Sequence, residues 1–112
     1  MNNTSDRRRS PRVEPRGPVL GEIPALGLAV RVREVSLGGM SVETAQRLDV
    51  GVRTDFALRL GDGSVVEIAA DVVYCRPGDV ERPGTFVSGV KFFGNDEADP
   101  AGPGPDLVSK VS

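Results

Sequence analysis

The apolar residues of this chain recur with a period of two along most of its length. Leu28, Val30 and Val32 alternate with Ala29, Arg31 and Arg33, as a strand does when one face is buried and the other wet. Met40 and Val42 repeat the pattern, as do Phe56, Leu58 and Leu60. Gly61-Asp62-Gly63 follows, a turn signal because glycine and aspartate tolerate the backbone angles of tight turns. Beyond it Val66, Ile68, Ala70, Val72 and Tyr74 form one inward row, and Phe86, Ser88, Val90 and Phe92 form a last one. Val19 to Ile23 adds a short first strand. Glu43 to Val50 reads as a helical turn or a loop, and no other segment reads as a helix. The pattern predicts an all-β protein. So many short antiparallel strands must hide their edges, which favours a small closed barrel over an open sheet.

Composition narrows the chemistry. A chain of 112 residues holds one domain and has no room for two. There is no His, no Trp and a single Cys, Cys75. Imidazole bases, Ser-His or Cys-His nucleophile pairs and Cys/His zinc sites are therefore excluded, and catalysis is the least supported class of function. No metal or cofactor is expected. Glu67 and Asp71, alternating on one strand, read as solvated surface, and Cys75 as a partly packed thiol. One cysteine forms no internal disulfide, no apolar run approaches a membrane span, and no secretory leader is visible, so the expectation is a cytoplasmic protein without membrane insertion.

The formal net charge of −2 conceals a segregation. Residues 1–16 carry five Arg against Asp6 and Glu14, for a net +3, whereas residues 94–112 carry Lys110 against four acids, for −3. With the apolar pattern this predicts three parts: a flexible basic arm over residues 1–12, a barrel over 13–94, and a disordered, acidic, Gly/Pro-rich tail over 95–112. A basic arm suits an anionic partner. The acidic remainder, the pI near 5.1 and the missing Trp disfavour nucleic acid as that partner.

Two clusters stand outside the packing pattern. Arg7-Arg8-Arg9-Ser10-Pro11-Arg12 places Arg8 and Arg12 in an RxxxR spacing, and Arg12 to Arg16 gives a second, overlapping register. A guanidinium can chelate phosphate oxygens, pair with the O6 and N7 of guanine, or stack on a base. Glu34-Val35-Ser36-Leu37-Gly38-Gly39-Met40 lies between two predicted strands. Glu34 and Ser36 can face one side, and the glycines permit a tight bend and close approach of a ligand to bare backbone. Alone, the first cluster also suits a solvated leader and the second an ordinary Ser-stabilised turn.

Together and in this order, the clusters resemble the PilZ domain, a bacterial receptor module for cyclic di-GMP marked by RxxxR and then [D/N]xSxxG. Here the motifs are Arg8 and Arg12, then Glu34, Ser36 and Gly39, and Ser88-Gly89-Val90-Lys91-Phe92 is similar to the closing GVxF strand. The resemblance covers about residues 7–93. It implies a six-stranded antiparallel β-barrel with the ligand on its outer surface. It implies that Arg8 and Arg12 contact phosphates and guanine faces while Glu34, Ser36 and Gly39 read a guanine edge, with Arg7, Arg9 and Gly38 as secondary contacts. It implies an arm that orders on binding and signals to a partner protein. The chain departs from the motif at Glu34, one methylene longer than Asp. The alternative is therefore a divergent interaction module that binds no nucleotide and acts by protein–protein contact.

Overall fold

Alternation gives strands, and the strands close on themselves. The computed structural model describes residues 12–93 and Val108; Arg7, Arg8 and Arg9 lie outside the described residues. Six strands follow in order: β1 (Leu20–Ile23), β2 (Leu28–Val35), β3 (Gly39–Thr44), β4 (Arg53–Arg59), β5 (Val65–Pro77) and β6 (Phe86–Phe92). They form a closed barrel in the order β1-β2-β3-β6-β5-β4, every pair antiparallel. Pairing of β1 with β4 consumes both edges of the sheet, so no long edge is left among the described residues to recruit another chain. The predicted all-β barrel is the observed fold.

The inward rows are those of the sequence pattern. Val30, Val32, Val42, Phe56, Leu58, Ile68, Ala70, Val72, Val90 and Phe92 are buried in one cluster. Burying each of the Val, Leu, Ile and Phe side chains contributes ~1.5–3 kcal/mol relative to exposure. Cys75 packs against the cluster as a half-buried free thiol. The turn after β4 closes as expected: Leu60 N donates to Ser64 O at 2.8 Å, Asp62 Oδ1 accepts from Ser64 N at 2.9 Å, and Gly63 takes φ +91°.

Two details differ from the sequence expectations and two add to them. Tyr74 is not in the inward row: a register shift between Val72 and Tyr74 turns it outward, 40% exposed. Ser88 is inward, as its row predicts, but its Oγ is fully buried with no hydrogen-bond partner. Glu43 and Thr44 belong to β3, and of the two forms the sequence allowed for the segment after them, helical turn or loop, it takes the loop, anchored by buried Leu48. A 3-10 turn at Pro24–Leu26 joins β1 to β2, too short for any periodicity to reveal. Pro24 presets its first residue, and Gly27, at φ +60°, ends it. At the chain ends, Val13 pairs with Val35 and ties the segment before β1 to β2. Val108, within the segment read as tail, packs against the core.

Candidate functional site

The site is built by two irregularities on opposite sides of the β3–β6 pair. In β2 the register passes from Val32 opposite Val42 to Glu34 opposite Ser41, which leaves Arg33 as an extra residue. In β5 it passes from Val72 opposite Val90 to Tyr74 opposite Gly89, which leaves Val73 extra. Such bulges break the alternation and re-aim a side chain. Without the first, Glu34 would follow Leu28, Val30 and Val32 into the core; with it, Val35 is buried and Glu34 faces out. Without the second, Tyr74 would be inside.

The two bulges fall on one level. Glu34 pairs with Ser41, Ser41 with Gly89, and Gly89 with Tyr74, forming a single outward row across β2, β3, β6 and β5. This row floors a cleft of about 120 Å³ also lined by Arg12, Ser36, Gly39 and Val73. The Tyr74 ring lies across Gly89, whose Cβ position it occupies. A side chain at residue 89 would therefore push the ring away.

Arg12 reaches this cleft through the backbone. Val13 N donates to Val35 O and Val35 N to Val13 O, both at 2.8 Å, which sets Arg12 beside Glu34. Arg12 Nη1 then donates to Glu34 Oε1 at 3.5 Å, a long contact between side chains that are 70% and 39% exposed. The Glu34 partner is thus Arg12, while Arg33, its sequence neighbour, points to Asp79 at 3.5 Å. Arg16, the end of the second RxxxR register, lines an adjoining cleft of about 470 Å³ with Glu14, Arg31, Arg33 and Glu34. Glu34 belongs to both clefts.

Ser36 and the glycines do structural work within the motif. Ser36 N and Oγ both donate to Gly39 O, at 2.8 and 3.3 Å, so the Ser-stabilised turn is present. Gly38 O accepts from Phe92 N at 2.9 Å. Neither Gly38 nor Gly39 has a positive φ, and a Cβ on Gly39 would collide with Val90 O. The bare backbone at Gly39 is therefore used by the close approach of β3 to β6, rather than for a left-handed bend.

Beside the row lies a second carboxylate with a different environment. Glu43 is 7% exposed and accepts from Arg31 Nε at 3.0 Å, Arg82 Nε at 2.9 Å and Thr85 Oγ1 at 3.2 Å. Burial pushes its carboxyl up, but the hydrogen bonds from Arg31, Arg82 and Thr85 outweigh it and hold the group below its ordinary value. Asp71 is also held low, by the Arg53 guanidinium that donates to it at 2.9 Å.

The sequence motifs thus place Arg12, Glu34, Ser36 and Gly39 on one cleft. They missed Ser41 and Gly89, which the alternation of β3 and β6 turns outward, and Val73 and Tyr74, whose outward placement depends on a bulge that no residue pattern announces. No group of three or more His, Cys, Asp or Glu able to hold a metal occurs among the described residues, and no helix among them is long and apolar enough to cross a membrane.

Known proteins share this architecture. The chain is similar to the structure of the PilZ domain with c-di-GMP of YcgR from Escherichia coli, at 19% identity and a TM-score of 0.62 over 83% of this chain and 82% of that one. It is also similar to YcgR from Escherichia coli in complex with c-di-GMP, at 24% identity and a TM-score of 0.62, over 82% of this chain and 40% of that longer one. No curated protein matches it significantly. The pattern of the PilZ domain family matches residues 6–101, and the chain belongs to that family.

Proposed function

We propose that this protein is a receptor for cyclic di-GMP that binds the dinucleotide over the cleft of Glu34, Ser41, Gly89 and Tyr74 and the cleft adjoining it. The observation that carries this reading is the convergence of Arg12, Glu34, Ser36 and an outward aromatic ring on one level of the barrel wall. Each supplies what the ligand demands. A guanidinium suits phosphate or the guanine O6 and N7, a carboxylate accepts from the guanine N1 and N2 donors, and an aromatic ring stacks on a base. The similar structures carry c-di-GMP, which supports the assignment of ligand. The ligand has two guanines and two phosphates, too much for a cleft of about 120 Å³, and Glu34 connects that cleft to the larger one.

In this reading Arg12 leaves Glu34 for the ligand. The exchange costs little, because an exposed ion pair of this kind is worth ~0–1 kcal/mol. Glu34, relieved of Arg12, turns to a guanine edge with Gly39 beside it, and the Ser36 hydroxyl, whose bond to Gly39 O is long, turns with it. Arg8 joins Arg12 as the second motif cation, with Arg7, Arg9 and Gly38 in support, and the arm orders on binding. Ordering the arm changes the surface offered to a partner protein, and the affinity is moderated by the entropy lost. The protein acts by binding rather than catalysis, in a bacterial cytoplasm.

Calorimetric titration with cyclic di-GMP tests the proposal. The parent saturates in the micromolar range, and Arg8→Ala, Arg12→Ala and Ser36→Ala each weaken binding. Absence of heat at tens of micromolar ligand overturns it. The second reading, an interaction module without nucleotide, is favoured by one observation: Glu34 is already engaged by Arg12 rather than open to a guanine edge. It predicts a protein partner whose binding is indifferent to the ligand and to Arg12→Ala.

A further inference from the structure

The cleft of about 470 Å³ beside the motif contains three arginines, Arg16, Arg31 and Arg33, facing Glu14 and Glu34. These cations are not equally free. Arg31 is committed to Glu43, a buried carboxylate whose other acceptor positions are filled by Arg82 and Thr85. Arg33 is the extra residue of the β2 bulge and is positioned outside the pairing ladder next to Glu34. Its side chain is 30% exposed, and its ion-pair partner among the described residues is Asp79, 51% exposed and 3.5 Å away. A long contact between a half-buried guanidinium and an exposed carboxylate can be exchanged for phosphate oxygens, which a guanidinium chelates in a fork.

Asp79 belongs to the connection between β5 and β6, which folds back over the outer face of the barrel. That connection has two kinds of attachment. Its base is fixed: Gly78 N donates to Thr85 O at 2.8 Å, while Arg82 and Thr85 are both held by buried Glu43. Its tip is a turn closed by Arg82 N donating to Asp79 O at 2.9 Å, with Val80 95% exposed at the outermost point. Among the described residues, two side-chain contacts tie this turn to the barrel: Arg82 to buried Glu43 at its end, and the longer Asp79 to Arg33 at its start.

We infer that Arg33 is a further ligand-binding residue, held in reserve by Asp79, and that its transfer to a ligand phosphate releases the Asp79 end of the turn while Glu43 keeps Arg82 and the base of the loop in place. The inference rests on the cyclic di-GMP reading of the site and names the element by which occupancy reaches the surface. Thermodynamic reciprocity gives it a sign: because Asp79 and the ligand compete for one guanidinium, removing the Asp79 charge tightens ligand binding, and binding loosens the tip.

The test combines amide hydrogen exchange at residues 79–82 with calorimetric titration of cyclic di-GMP, on the whole chain. In the parent, saturating ligand speeds exchange at these amides and leaves those of Glu43 and Val87 slow. In Asp79→Asn, exchange is fast before ligand is added, the ligand-dependent change is lost, and binding tightens about two- to fivefold, the range an exposed pair can contribute. In Arg33→Ala, exchange at the tip is fast throughout and binding weakens about tenfold, as for loss of one charge-assisted contact. Saturable binding with exchange at 79–82 unchanged, or an Asp79→Asn affinity equal to the parent's, overturns the inference and leaves the ligand assignment standing. No binding by the parent overturns both.

Discussion

Two glutamates occupy the same outer wall of this barrel and have opposite fates. Glu43 pairs across the sheet with Arg31 and Val87, one outward row away from Glu34 with Ser41 and Gly89. Glu43 is 7% exposed and accepts from three side chains, two of them guanidinium groups. Glu34 is 39% exposed and meets one guanidinium at 3.5 Å. Residue type and polarity do not separate them. What separates them is the number of donors and the loop from β5 to β6 that covers one and not the other. A carboxylate surrounded by donors is committed to the fold. One with a single, long, wet contact can exchange it for a ligand at small cost.

Five measurements test whether the two carboxylates differ in this way. Glu43→Ala removes the acceptor that joins Arg31, Arg82 and Thr85 and lowers stability by ~2 kcal/mol in urea denaturation, whereas Glu34→Ala changes it by less than ~0.5 kcal/mol. Equal losses in the two variants would show that exposure does not distinguish them. Arg12→Ala weakens cyclic di-GMP binding by about tenfold or more, at unchanged stability, as expected for a charge-assisted contact of ~1–3 kcal/mol seen only in the complex. Tyr74→Ala weakens it by about tenfold while Tyr74→Phe retains it, because stacking needs the ring and not the hydroxyl; equal loss in both variants would instead assign the hydroxyl the role.

The pH dependence of stability probes Glu43 by itself. Its carboxyl titrates below its ordinary value of 4.5 in the folded protein, so the stabilisation it provides is complete above that pH and is lost as pH falls through the folded value. Denaturant midpoints followed below pH 5 fall more steeply in the parent than in Glu43→Gln; parallel curves would remove Glu43 as the cause. The smallest effect expected is that of Glu34→Asp. Shortening the side chain draws the carboxylate away from Arg12, frees that arginine and tightens ligand by about two- to fivefold in a titration; weaker binding would show that the extra methylene of Glu34 is needed to reach the guanine edge.

Much of this architecture is legible in the residues because burial enforces the pattern. Val30, Val32, Phe56, Leu58, Ile68 and Ala70 alternate in sequence and line one core, since a strand offers every second side chain to each face. The family is legible too, because Arg8, Arg12, Glu34, Ser36 and Gly39 are a spaced set of residue types. The bulges are not. Arg33 and Val73 carry no signature of an extra residue, and the alternation that succeeds elsewhere fails at Tyr74. Nor does the sequence reveal that Gly39 is bare because Val90 O presses on it.

By itself, the sequence determined an all-β chain, its rows of core residues, the absence of imidazole and paired-cysteine chemistry, and a set of motif residues matching one family. These follow from local properties: side-chain polarity, period and composition. The tertiary structure alone decided that Glu34 and Tyr74 share a row facing outward, that Arg12 meets Glu34 while Arg33 meets Asp79, and that Glu43 rather than Glu34 is held in place. Those outcomes depend on register shifts within the β2–β3 and β5–β6 pairs. A shift of one residue exchanges core for surface, and its location is settled by how the whole barrel closes.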